Sequence, residues 1–187
     1  MVVGTRNKPP QYWIFVGVHD DEPCEVWATH MVETFRGLME VNLGEDSVEV
    51  AGKVTMKTFQ VGKSRDIFNT EEGFVLSRRL LSAISLGDLA GVLVFLIEGS
   101  PDLDGFFFLT SERVEDCLDV SESVYADTGY DDFPLSICLE FKLKLDFESN
   151  FDLFRIEGEE DVLLWSDRIV RSLLNHGVPT DWFEPVG

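Results

Sequence analysis

The side chains able to do nucleophilic or acid–base chemistry are few in this sequence of 187 residues, which holds three histidines and three cysteines. Cys24 lies between His19 and His30, and a thiol beside an imidazole is the pairing that a cysteine nucleophile needs. The surrounding run His19-Asp-Asp-Glu-Pro23 has turn composition, so a surface histidine beside a partly buried thiol is the simpler reading. No Gly-x-Ser-x-Gly elbow seats a serine, and no His-Glu-x-x-His spacing places two imidazoles on one helix face. Nor do the glycines form a phosphate-cradling loop, so no cofactor is expected.

Carboxylates are the abundant chemistry. Asp116, Asp119 and Glu122 are closely spaced, as are Asp127, Asp131 and Asp132, and hard cations take oxygen ligands of this kind. Neither set has the ligand spacing and central glycine of a calcium-binding loop. Asp127-Thr128-Gly129 has the letters of an aspartic-protease triplet without its apolar flanks. A solvated acidic loop accounts for these residues more simply, and no metal site is assigned.

Charge says more. Thirty-five acidic residues against fifteen basic ones give a formal net charge of −20. Such a field repels phosphate backbones and anionic membranes, and no compact basic patch offsets it, so neither nucleic acid nor membrane is expected as a direct partner. A cationic protein is attracted and steered by the same field. The stretch 112–133 carries one arginine against eight carboxylates, and Glu157, Glu159, Glu160 and Asp161 form a second acidic run. Glu115, Asp116, Asp119, Glu122, Asp131, Asp132, Glu159 and Glu160 are therefore the candidate partner-binding residues.

The elements that must position these residues are mostly strands. Gln11–Val18 (QYWIFVGV), Gly105–Leu109 (GFFFL) and Leu135–Phe147 read as strands, Ser47–Val61 with period-two alternation reads as a strand or a hairpin with Gly52 at a bulge or turn, and Val32–Met39 has the spacing of a short helix. The apolar run Leu89–Ile97 is too short to span a bilayer as a helix and reads as a buried strand. Three cysteines without a Cys-x-x-Cys spacing, and no apolar signal segment in Met1–Pro10, fit a reduced, cytoplasmic setting.

One pattern occurs twice. Asp66-Ile67-Phe68, then Phe74–Ile84, is echoed by Asp152-Leu153-Phe154, then Val162–Leu173, each reading Asp-[Ile/Leu]-Phe, a polar gap, an apolar strand and Ser-x-Arg followed by apolar residues. Each copy predicts a strand, a serine capping a helix N-terminus, and a short amphipathic helix. The expectation is an α+β fold with a mixed or mostly antiparallel sheet and short amphipathic helices. Residues 1–60 form a strand-rich part packed on a domain spanning 61–187, which contains the repeat (66–97 and 152–186).

The order GFFFL, Val-x-x-x-Leu-Asp-x-x-x-Ser (Val114–Ser123), an alternating strand, Asp-Leu-Phe-Arg-Ile (Asp152–Ile156), then Ser-Asp-Arg and a helix ending near Gly177, resembles the MXAN-type immunity domain family of bacterial polymorphic-toxin systems. The resemblance covers roughly residues 61–186; residues 1–60 do not share it, and Val178–Phe183 lacks the glycine that the family commonly places after its last helix. It implies a non-enzymatic cytoplasmic protein that binds and neutralises a cognate toxin, often an HNH-type nuclease. Such nuclease domains are usually basic, which agrees with the charge argument. The alternatives are an acidic nucleic-acid mimic that inhibits a DNA-binding protein and, more remotely, a carboxylate-metal enzyme using residues 112–132.

Overall fold

The computed structural model describes residues 11–16, 27–42, 47–59, 66–70, 72–84, 86–99, 101–127 and 136–186. Its elements in chain order are β1 (Tyr12–Phe15), β2 (Trp27–Asn42), β3 (Ser47–Phe59), β4 (Ile67–Asn69), β5 (Phe74–Ser77), α1 (Arg78–Ala83), β6 (Leu93–Glu98), β7 (Phe106–Thr110), β8 (Val114–Glu115), β9 (Val124–Asp127), β10 (Ser136–Glu140), β11 (Leu153–Ile156), β12 (Glu159–Ser166), α2 (Asp167–Asn175) and β13 (Phe183–Val186). Among the described residues, thirteen strands against two α-helices make this a β-rich fold and correct the α+β expectation.

The segment expected to be helical explains much of the difference. Val32, Phe35, Leu38 and Met39 have helical spacing, yet the chain there is extended and pairs antiparallel with β3 from Trp27↔Phe59 to Asn42↔Ser47. Register shifts between Thr29 and Met31, Glu33 and Phe35, and Arg36 and Met39 break the strand's alternation into short pieces. Each bulge inserts an unpaired residue and changes the side-chain phase, so a bulged strand loses its period of two. Downstream, Leu135–Phe147 is not one strand. β10 ends at Glu140, and the chain beyond it lies against residues 117–119, through Lys144 N–H to Cys117 O at 2.8 Å, Asp119 N–H to Lys142 O at 2.8 Å and a Leu118–Leu143 bridge.

A six-stranded sheet runs β2-β3-β6-β7-β5-β4, a five-stranded sheet runs β13-β1-β12-β11-β8, and β9 and β10 pair separately. Most pairings are antiparallel, with β3–β6 and β8–β11 parallel. The main core belongs to both sheets and both helices, joining Phe74, Leu76 and Phe107 to Leu153, Leu163 and Trp165, with Leu80 and Leu81 of α1 and Ile169, Val170 and Leu173 of α2. Phe74 meets Trp165 with ring centroids 4.4 Å apart at 69°. The outer faces carry separate clusters, around Val54, Val75 and Phe108 on the larger sheet and around Cys117, Phe154 and Leu164 on the smaller.

One polar group also ties the sheets together. From β11, Arg155 donates through Nε to Ser111 O at 2.8 Å and through Nη1 to Glu160 O at 2.5 Å. Its Nη2 reaches Glu72 O at 2.6 Å and Thr110 Oγ1 at 2.8 Å. Thr110 and Glu72 belong to the larger sheet and its β4–β5 turn, and Glu160 to the smaller sheet, so a single planar fork satisfies acceptors from both. Arg155→Ala should lower the unfolding free energy by about 2–3 kcal/mol. Arg155→Lys should recover less than half of that, because an ammonium cannot reproduce the fork. Urea melts of the three proteins measure both effects.

Candidate partner-binding face

The repeated serine and arginine build two matching clusters. In the first, Ser77 Oγ donates to Asp66 at 2.5 Å and accepts from Leu80 N–H at 3.4 Å, while Arg79 Nη2 reaches the other Asp66 oxygen at 2.6 Å. In the second, Ser166 Oγ donates to Asp152 at 2.7 Å, Arg168 Nη2 reaches Asp152 at 2.5 Å, and Ala90 N–H donates to it at 3.0 Å. Ser166 makes no side-chain bond to the helix N-terminus, so the capping role expected of both serines holds for Ser77 alone. Burial pushes the Asp152 carboxyl up, but Arg168, Ala90 N–H and Ser166 outweigh it and hold the group below the ordinary range. The Arg79 hydrogen bond does the same for Asp66. These two carboxylates pin each strand–helix junction, and the sequence marked them only through the Asp-[Ile/Leu]-Phe and Ser-x-Arg patterns.

The two described thiols, Cys117 and Cys138, are both held in their protonated form. Burial pushes the Cys117 thiol up to about 11, and burial followed by the nearby Glu159 charge raises that of Cys138. A thiol so shifted is protonated at neutral pH and a poor nucleophile. His19 and Cys24 lie outside the described residues, and of His30 only the backbone is described, within β2. His176 directs Nδ1 to Ser172 O at 2.8 Å. Among the described residues, no group of three or more His, Cys, Asp or Glu side chains is arranged to hold a metal ion, and no helix is long and apolar enough to cross a membrane.

The sequence-predicted acidic residues divide by what they do. Asp119 is structural: its Oδ1 accepts from Ser121 Oγ at 2.7 Å, Ser121 N–H at 3.1 Å and Glu122 N–H at 3.3 Å, and the Ser121 bond leads in holding its carboxyl low. Asp116 is ion-paired with Lys144. Glu115, Glu122, Glu159 and Glu160 form no ion pair among the described residues, and Asp131 and Asp132 lie outside them. Pairing of Ile156 with both Glu115 and Glu159 sets those two glutamates in one row across β8, β11 and β12. Because the Glu159 charge is felt by Cys138 and Tyr125, the start of β12 (Glu159) adjoins the β9–β10 pair, with Glu157, Glu160 and Asp161 beside it in sequence.

Composition did not reveal what lies between the carboxylates. Of the seven large apolar side chains exposed among the described residues, five fall within 114–145: Val114, Val120, Val124, Leu139 and Leu145, the last two 65% and 92% exposed. Isolated exposed valines and leucines are ordinary, but several on one short appendage rimmed by carboxylates have the make-up of a docking surface, with apolar contacts inside and charge outside. The signal was available only as valines and leucines too many for the pleat to bury.

No model of a known protein family matches the sequence, and no curated protein matches it.

The clusters and the face separate under acid. Asp152 has a folded-state value below the ordinary 3.8, so its charge contributes stability above that pH and loses it as pH falls through the folded-state value. Asp152→Asn should cost about 1–3 kcal/mol at neutral pH. The gap between parent and variant should close as the pH drops below 3.8, measured by thermal melts in a pH series.

Proposed function

We propose that this protein acts by binding a cationic protein partner rather than by catalysis, and that it is an immunity protein which neutralises a cognate toxin in the cytoplasm by covering its active site. The observation that carries this reading is that Val120, Leu139 and Leu145 are exposed in the same part of the chain as Glu122, Glu159, Glu160 and Asp161, carboxylates with no ion pair among the described residues. The net charge of −20 supplies the long-range attraction, and the resemblance to the MXAN-type immunity domain family supplies the kind of partner. A basic nuclease domain of the HNH type fits both.

The mechanism is steric and electrostatic. Free carboxylates at the rim accelerate encounter and orient the partner, an effect that salt removes, while desolvated apolar side chains hold the complex and resist salt. Capture from host lysate on the tagged protein, washed at low and then high salt, should retain one basic toxin-domain protein through both washes. With that protein purified, reversing Glu122, Glu159, Glu160 and Asp161 to lysine should slow association by about 10- to 100-fold at low salt. Leu139→Ala with Leu145→Ala should instead speed dissociation. Recovery of many basic proteins that all wash off with salt would sink the immunity reading. Competition by DNA for several unrelated binders would point to a nucleic-acid mimic.

A further inference from the structure

Four neighbouring strands of the larger sheet match four of the smaller, but not in the order in which the chain supplies them. In the larger sheet, β4, β5, β7 and β6 lie side by side, every pairing antiparallel, with α1 and then β6 following β5 in sequence. In the smaller sheet, β11, β12, β1 and β13 lie side by side, again all antiparallel, with α2 and then β13 following β12. The place of β7 is therefore taken by β1, from the opposite end of the chain.

The correspondence extends to single residues. Ser77 faces Phe106, and its counterpart Ser166 faces Tyr12. One position on, Arg78 N–H donates to Gly105 O at 2.9 Å and Asp167 N–H donates to Gln11 O at 2.9 Å. Across each hairpin, Ser77 N–H reaches Asp66 O at 2.7 Å and Ser166 N–H reaches Asp152 O at 2.8 Å. Gly105-Phe106-Phe107-Phe108-Leu109 thus overlies Gln11-Tyr12-Trp13-Ile14-Phe15. The faces agree as well: Phe107 and Leu109 point into the shared core as Trp13 and Phe15 do, while Phe108 and Ile14 turn to the outer clusters.

We infer that the chain is a permuted tandem repeat, in which the gap between β12 and β13 is a strand-accepting site and residues 11–16 are the missing last strand of the second unit. In the first unit the strand in this place follows β6 directly. In the second, Val186 of β13 is the register partner of Tyr12, so joining the chain's end to its beginning restores the first unit's order.

A circular permutant tests this with every residue retained: Gly187 is joined to Met1, residues 1–10 become the connection from β13 to β1, and the chain is opened between Asp20 and Asp21. A connection of that length easily joins two strands already paired. The permutant should fold with a Tm within about 5 °C of the parent. Phe15→Ala should lower the Tm of both chains by the same amount. A cysteine pair at Ile14 and Glu184, which are register partners, should cross-link in both. A permutant that folds but is indifferent to Phe15→Ala, or that fails to cross-link where the parent does, overturns the inference. So does failure to fold both in this form and in a second form with a Gly-Ser extension at the new junction.

Discussion

The core shared by the two sheets is arranged around the contact of Phe74 with Trp165. These residues sit near the ends of equivalent strands in the two sheets, edge against face at 4.4 Å, with Phe183 beside Trp165 at 6.0 Å and Phe15 beside Phe74 at 5.4 Å. Neither sheet can bury this face alone, because the side chains projecting from each are filled in by the other sheet and by both helices. The indole N–H of Trp165 is buried there without a hydrogen-bond partner, which costs roughly 1–3 kcal/mol. The aromatic contacts on several sides, each worth about 0.5–1.5 kcal/mol beyond its buried area, offset that cost.

Around this core the polar groups do two separate jobs. Asp66, Asp152 and Arg155 spend their hydrogen bonds inward, fixing strand–helix junctions and the seam between sheets. Asp116 and Asp119 hold the 116–147 appendage against itself. Charge left over appears at Glu122, Glu159 and Asp161, which form no ion pair among the described residues, while Glu160 accepts from Gly158 N–H at 3.3 Å. A carboxylate committed to a guanidinium or to backbone N–H groups projects little field, so the effective acidic surface is smaller and more localised than the count of acidic residues suggests.

Much of the architecture was legible before any coordinates. β1, β3 and β7 followed from alternation and from runs of aromatic and branched residues, because a pleated strand with one buried face imposes a period of two. The paired Asp-[Ile/Leu]-Phe and Ser-x-Arg patterns marked both hairpin–helix units, since the same short-range geometry needs the same residues. What stayed hidden was non-local or irregular. The bulges of β2 erased its period, and the identical composition of free and committed carboxylates concealed which ones face a partner. Arg155 lay in plain view within Asp-Leu-Phe-Arg-Ile, but its acceptors at Glu72, Thr110, Ser111 and Glu160 come together only when the sheets do. The exposed valines and leucines of 114–145 went unmarked, because nothing local distinguishes an apolar side chain with a neighbour from one without.

The central place of β1 in the smaller sheet also governs when the protein can be finished. Trp13 donates to Asp167, 154 positions away, and both strands flanking β1, β12 and β13, come far later in the sequence. The aromatic segment 12–15 can be seated only once β12 and β13 are in place, whereas β4, β5, β6 and β7 pair among themselves within residues 67–110. Until β12 and β13 form, Tyr12, Trp13 and Phe15 have no strand of this sheet to pair with, so completion of the smaller sheet waits on its most non-local contacts.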